Sequence, residues 1–113
     1  MLLRDVGLDV DRVLCTKREP GIHQCTFIFE CDDESEAIYK RGELFTSICE
    51  SSERRFAYTE VGIGNPDVVV SKMVLFECEG DILIQEKEDG KWMVLMVGIQ
   101  KPLRPDQKME SVG

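Results

Sequence analysis

The segment from Trp92 to Ile99 is apolar on both of its faces, and this feature constrains the fold of the chain more than any other. A strand places alternate side chains on opposite sides of its sheet, so both sides of this strand need cover from water. A second run of consecutive apolar residues, Met73 to Phe76, also needs cover from water on both faces. Because one helix covers only one face of a sheet, the sequence predicts either closure into a barrel or a second protein surface on the other face.

The strand that begins at Lys91 is joined to the preceding one by Asp89-Gly90. A two-residue Asp-Gly loop supplies the positive φ values that a type I′ hairpin requires. The resulting register predicts that Glu88 lies opposite Lys91 and that Lys87 lies opposite Trp92, as a charge pair and a cation over an indole ring.

A first hairpin is predicted near the start of the chain. Val10–Arg18 is rich in β-forming residues, and Glu19–Ile22 contains Pro and Gly in positions that suit a type II turn. His23–Cys31 alternates apolar and polar residues with a period of two, as a strand with one buried face does. If Glu19 and Ile22 flank the turn directly, Cys15 lies opposite Thr26.

A helix is expected to follow this hairpin, because Asp33 and Glu36 have the spacing of a capping box. It should end near Glu50, and Gly42 weakens its middle turn. Its apolar residues recur at helical intervals and form one stripe: Ala37, Ile38, Leu44, Phe45, Ile48 and Cys49.

The chain is therefore predicted to be an α+β domain with a curved, mostly antiparallel sheet of about six strands in the order β-β-α-β-β-β-β and one helix packed on one face. Arg54–Ile63, Val68–Cys78 and Ile82–Glu88 supply the strands between the helix and the last strand. Residues 1–100 form this single domain, and residues 101–113, with two prolines and little periodicity, form an irregular tail.

Charge and cysteine content limit the classes of partner and compartment. Fourteen Lys and Arg against 22 Asp and Glu give a formal net charge of −8, which disfavours direct binding of nucleic acid. No apolar run is long enough for a membrane span or a signal peptide. Five cysteines are an odd number without paired short spacings, so all five are expected to be free thiols in the cytoplasm.

The candidates for catalysis and metal binding are weak. His23 and Cys25 share a strand face, but two residues on that face are Phe, and a buried core thiol explains Cys25 better than a catalytic pair does. His23, Cys25 and Cys31, with Cys15 as a fourth ligand, have spacings that match no common zinc motif. We therefore expect no catalytic residue, no metal and no cofactor.

The function predicted from this pattern is that of a non-enzymatic acidic protein-binding module, of the inhibitor, immunity or regulatory type. Its partner is expected to carry a basic surface, because charge complementarity accelerates encounter and adds specificity. The residues expected to bind the partner are acids in two clusters: Asp32, Asp33, Glu34 and Glu36, and Glu77, Glu79 and Asp81.

Two alternatives stay open. The first is a small ligand-binding or enzymatic domain whose curved sheet encloses a pocket with Tyr39, Tyr58, His23 and nearby carboxylates as its polar groups. The second is a structural subunit of a larger assembly. Whichever function holds, the doubly apolar strands predict a homodimer, with closure of the sheet into a barrel as the alternative. The dimer contacts are expected from Trp92, Val94, Met96, Val69, Met73 and Leu75.

Overall fold

The computed structural model describes residues 3–19, 22–50, 53–63 and 69–101, so the predicted tail lies outside the described residues except for Lys101. The described chain forms one antiparallel sheet and one helix that packs against three of its strands, which confirms the predicted α+β class. The elements are β1 (Arg12–Glu19), β2 (Ile22–Cys31), α1 (Glu34–Leu44) with a π-helical segment (Phe45–Cys49), β3 (Arg55–Ile63), β4 (Val69–Glu86) and β5 (Trp92–Gln100). The strand order is β1-β2-β5-β4-β3.

The described sheet has five strands where six were predicted, because β4 continues through a segment that the sequence presents as a break. The register of β4 against β5 shifts between Glu79 and Leu83, and Gly80 adopts a φ of 72° there. A bulge with a glycine in the left-handed region bends a strand without ending it. The acids around Gly80 therefore lie within a bent strand and not in a turn.

The β4–β5 hairpin forms as predicted, but its register differs by one residue. Trp92 lies opposite Glu86, and the Lys87 N–H donates to the carbonyl of Lys91 at 2.7 Å. The loop thus has three residues and ends on Gly90, whose φ is 83°, a common arrangement in longer hairpin loops. Lys87 does not contact the indole of Trp92 as expected; it forms an ion pair with Glu30 at 3.0 Å.

The first hairpin also has a shifted register. Glu19 lies opposite Ile22 as predicted, but an irregularity between Lys17 and Glu19 moves the pairing of the rest of β1 by one residue. Cys15 consequently lies opposite Cys25 and not opposite Thr26, and the two sulfurs form a disulfide. The prediction that all five cysteines are reduced is wrong for this pair.

The start of α1 agrees with the capping-box prediction. The Glu36 N–H donates to Oδ1 of Asp33 at 2.8 Å, and the Glu36 carboxylate accepts from the N–H of Asp32 at 3.2 Å. The apolar stripe is narrower than expected, because Ile38 is 54% exposed and Phe45 is 49% exposed. The residues of the helical segment that are fully buried are Ala37, Leu44 and Ile48.

The core lies between the helix and the concave face of the sheet, around an aromatic cluster. Phe27 packs edge-on against Phe56 and Phe76, with ring centroids 5.1 and 5.0 Å away, and against Tyr58 at 5.5 Å. Gly98 on β5 faces these rings, and a Cβ added there would lie 2.7 Å from the Phe56 ring. The absence of a side chain at this position leaves room for the cluster.

An N-terminal segment, residues 3–11, runs from one edge of the sheet to the other. The Val6 N–H donates to Ala57 of β3 at 2.9 Å, and the Asp11 N–H donates to Ile28 of β2 at 3.0 Å. Val6 is fully buried, so the segment contributes to the core. Asp5 accepts hydrogen bonds from Thr59; burial raises its pKa, but these bonds outweigh that effect and the net pKa is lowered.

Candidate functional site

The side of the sheet turned away from α1, here called the outer face, is apolar at its centre. Along β5, Val94 and Met96 point into the core, so Leu95 and Val97 point outward, where they are half-buried. Leu95 lies opposite Leu83 of β4. These side chains therefore form one continuous patch across neighbouring strands.

Two leucines of this patch are largely in contact with solvent. Leu83 is 57% exposed, and Leu14, which lies opposite Thr26 on the edge strand β1, is 55% exposed. Thr26 in turn lies opposite Val97. Single exposed leucines are ordinary, but apolar side chains that share one face on β4, β5 and β1, with Thr26 of β2 between the last two, are typical of a contact site.

Two of the predicted acids border the outer face. Glu77 lies opposite Ile99, and Glu79 lies opposite Val97, so both carboxylates share the face of the apolar patch. Glu77 also lies 3.6 Å from the ammonium group of Lys101. Asp81 is exposed in the irregular stretch that follows Gly80. This cluster gives the patch an acidic edge.

The second predicted cluster of acids lies elsewhere. Asp32, Asp33, Glu34 and Glu36 are exposed at the start of α1, where Asp33 and Glu36 satisfy backbone N–H groups. The position of each cluster can be compared along β5. This cluster follows Cys31, which lies opposite Trp92, whereas Glu79 of the other cluster lies opposite Val97. Five residues of strand span about 17 Å, so the two clusters do not form one acidic site.

The residues predicted for self-association divide between the two faces. Val94 and Met96 are fully buried under α1, and Trp92 packs against the same core, so these three side chains cannot meet a second molecule on the outer face. Met73, which is 44% exposed, and Leu75 point outward from β4. Val69 belongs to β4, but its side chain lies outside the described part of the structure.

A separate group of reactive side chains lies where the π-helical segment meets β4. The Cys49 and Cys78 sulfurs are 3.6 Å apart. The Arg54 guanidinium donates to Cys49 at 3.5 Å, to Cys78 at 3.7 Å and to the carbonyl of Gly80 at 2.5 Å. We call these three side chains the Cys49–Arg54–Cys78 cluster. No short-range sequence signal indicates it, because its two cysteines are 29 residues apart.

The backbone fixes this cluster as well. Arg54 has a φ of 54°, a left-handed conformation that costs a non-glycine residue about 1 kcal/mol or more. Its carbonyl accepts from the Cys78 N–H at 2.8 Å. Burial, then the neighbouring Cys49, raise the pKa of Cys78 to about 11, and hydrogen bonds to the two sulfurs raise the pKa of Arg54.

The weak chemical candidates of the sequence do not come together. Cys25 is bonded to Cys15, so its thiol is not available to His23 as a nucleophile. Among residues 3–19, 22–50, 53–63 and 69–101, no three His, Cys, Asp or Glu side chains are grouped as a metal site. With Cys15 and Cys25 joined, the cysteine argument for a reducing compartment applies only to Cys31, Cys49 and Cys78.

The three polar groups expected in a pocket are also dispersed. Tyr39 is 73% exposed on α1, Tyr58 packs against Phe27 in the core, and His23 lies opposite Lys17 at the start of β2. Tyr39 borders a cleft of about 520 Å³ between α1 and the N-terminal segment, and neither Tyr58 nor His23 reaches it; its lining is Arg4, Ile38, Tyr39, Gly42, Glu43, Thr46 and Ser47.

The fold defines a small α+β domain with one helix on a curled five-stranded antiparallel sheet. No protein family, curated protein or solved structure matches the chain. Nor do the described helices include one of the length and apolarity needed to cross a membrane.

Proposed function

We propose that this chain is a non-enzymatic protein-binding module that uses the outer face to bind a partner with a basic surface. The observation that carries the proposal is the contiguous apolar patch with Leu14 and Leu83 more than half exposed. Glu77 and Glu79 border it. An apolar centre inside a polar rim is the usual anatomy of a protein–protein interface.

The charge of the chain supports a basic partner. A formal net charge of −8 attracts a basic protein over distances comparable to the Debye length, about 8 Å at physiological salt. Glu79 is exposed at the edge of the apolar patch, where a rim charge acts mainly on the association rate. The inhibitor, immunity-type or regulatory role and the cytoplasmic location form part of this proposal.

The binding face is tested with Leu83→Asp, matched by Ile38→Asp on the exposed side of α1. The two positions are 57% and 54% exposed, so both changes should leave the fold intact. Each tagged full-length variant is used to capture proteins from the native host, and the captured proteins are quantified by mass spectrometry. A partner should be lost with Leu83→Asp and retained with Ile38→Asp.

The partner found in this way is then purified and its binding kinetics are measured. Glu79→Lys should lower the association rate by about tenfold or more at low salt and leave the dissociation rate nearly unchanged. Identical capture by the Leu83 and Ile38 variants would contradict the proposal, as would a partner that is acidic. A partner recovered in fixed stoichiometry through every purification step would instead identify the chain as a structural subunit.

A further inference from the structure

We propose that Cys49 and Cys78 are a thiol–disulfide exchange site whose substrate is a low-molecular-weight disulfide of the glutathione type. The two thiols lie at the junction of the π-helical segment, β4 and the start of β3, outside the apolar patch, and Glu77 and Glu79 of its acidic edge line the cleft beside Cys78. Cys49 is the entry thiol, Cys78 is the resolving thiol and Arg54 is a positioning residue.

The geometry of the two sulfurs supports direct bonding between them. They are 3.6 Å apart, and a disulfide bond is about 2.05 Å long, so an approach of roughly 1.5 Å joins them. Rotation about the Cα–Cβ bonds supplies displacements of this size. Cys31 is buried, its sulfur donates to the Phe29 carbonyl at 3.9 Å, and it serves as an internal control.

The exposure of the two thiols sets their order of reaction. Cys49 is half-buried and Cys78 is buried, so a dissolved disulfide reaches Cys49 first. A cleft of about 280 Å³, lined by Arg54, Cys78 and Gly80 among others, borders the Cys78 side of the pair. Burial, then the neighbouring Cys49, raise the pKa of Cys78 to about 11, so this residue is a protonated thiol when the first step begins.

The exchange balances in two steps. The Cys49 thiolate, having lost its proton to water, attacks one sulfur of the low-molecular-weight disulfide, which breaks its S–S bond and releases one thiolate. Cys78 then loses its proton and attacks Sγ of Cys49 in the mixed disulfide, which releases the second thiolate. Two electrons pass from the protein to the small disulfide, and the two released thiolates take up two protons.

Arg54 assists by stabilising negative charge on both sulfurs. Its guanidinium donates to each of them and is held in place by the Gly80 carbonyl. The backbone hydrogen bond between Cys78 and Arg54 keeps the two residues in register. A cation this close to a thiol favours the thiolate, which is the nucleophile in exchange.

The test begins with fully reduced, full-length protein that is exposed to oxidised glutathione under native conditions, alkylated and digested with trypsin. The proposed bond links the peptides of residues 42–54 and 73–87, whereas the Cys15–Cys25 bond links residues 13–17 to 19–40. We expect both linked pairs, with Cys31 recovered as an alkylated thiol. The proposal would be overturned if only the Cys15–Cys25 link formed and Cys49 and Cys78 were both recovered alkylated.

Single variants assign the roles of the two thiols. With Cys78→Ser, Cys49 should accumulate as a mixed disulfide with glutathione, and with Cys49→Ser, Cys78 should remain largely unmodified. Circular dichroism confirms that each variant is folded. The reverse pattern, a glutathione adduct on Cys78 and none on Cys49, would overturn the assigned order.

The role of Arg54 is read from the pH dependence of the rate at which the tryptic peptides of Cys49 and Cys78 become linked. These are residues 42–54 and 73–87 in the wild type, and residues 42–55 and 73–87 in Arg54→Gln, which trypsin no longer cuts after residue 54. Arg54→Gln should slow this reaction about tenfold at pH 7 and move its pH profile to higher pH, because the hydrogen bonds from the guanidinium to the two sulfurs are lost. Arg54→Lys should recover part of the rate. An Arg54→Gln profile that coincides with the wild-type profile would overturn the positioning role.

Discussion

Asp33 shows how a single side chain in this protein can have a local role that its charge alone does not reveal. It accepts from the Glu36 N–H at the start of α1, with the extended backbone expected of an N-cap. The neighbouring acids Glu34 and Glu36 occupy the first turn, where they interact favourably with the helix dipole. The structure thus gives this acidic cluster a role in helix stability.

Replacing Asp33 with Ala should lower the free energy of unfolding by about 1 kcal/mol, because one helix N–H loses its acceptor. Urea denaturation followed by circular dichroism measures the change. Glu34→Ala is the matched control, since it removes an equal charge without removing the cap, and it should cost only a few tenths of a kcal/mol. Equal losses for the two variants would show that charge and not capping is responsible.

For single side chains, the sequence predicted interactions between residues that are close together along the chain. The capping box was predictable because its two members are three residues apart and act through one turn of helix. The Cys49–Arg54–Cys78 cluster was not, because it depends on where β4 bends and on the left-handed backbone of Arg54. Neither property follows from residue type or spacing.

Among the elements, the strands were predictable and their registers were not. Alternation in β2 and the Asp89-Gly90 loop indicated strands and a hairpin that the structure contains. The bulge near Arg18 and the bend at Gly80 each insert residues into a ladder, which changes every later pairing by a residue or more. The disulfide between Cys15 and Cys25 is a direct consequence of the first of these.

The close approach of three Phe rings to β5 leads to a prediction at Gly98. A Cβ there would lie 2.7 Å from the Phe56 ring and 3.1 Å from both Phe27 and Phe76. Gly98→Ala should therefore lower the free energy of unfolding by about 1–3 kcal/mol through overpacking. Thermal or urea unfolding provides the measurement.

Gly42 in α1 is the control for this change, because a Cβ added there meets nothing within 4 Å. Gly42→Ala should stabilise the protein by about 0.5–1 kcal/mol, since alanine is the better helix former. Opposite signs for the two Gly-to-Ala changes are the expected result. A neutral or stabilising effect at Gly98 would show that the aromatic cluster has room to move.

At the scale of the molecule, the single helix of the described residues packs on the concave face of the sheet, and none of them forms a helix on the outer face. The helix covers the concave face, and the N-terminal segment adds Val6 to the same core. The sequence indicated that β5 needs cover on both sides. It could not show that Val94 and Met96 would be the covered side, because an apolar residue is compatible with either face.

We predict that the chain forms a homodimer through the outer face when no other partner occupies it. The apolar patch around Leu95 and Leu83 continues to Leu14, and a two-fold arrangement that stacks two such faces would bury it with the commonest symmetry of soluble oligomers. Each copy carries a net charge of −8, so repulsion opposes the association and should weaken as salt screens it.

Light scattering at micromolar concentration and physiological salt should give about twice the 12.9 kDa mass of one chain. Leu83→Asp should return the mass to that of one chain, and Ile38→Asp should not. A wild-type mass near 12.9 kDa under the same conditions would reject the dimer, and the exposed patch would then be explained by the heterologous partner alone.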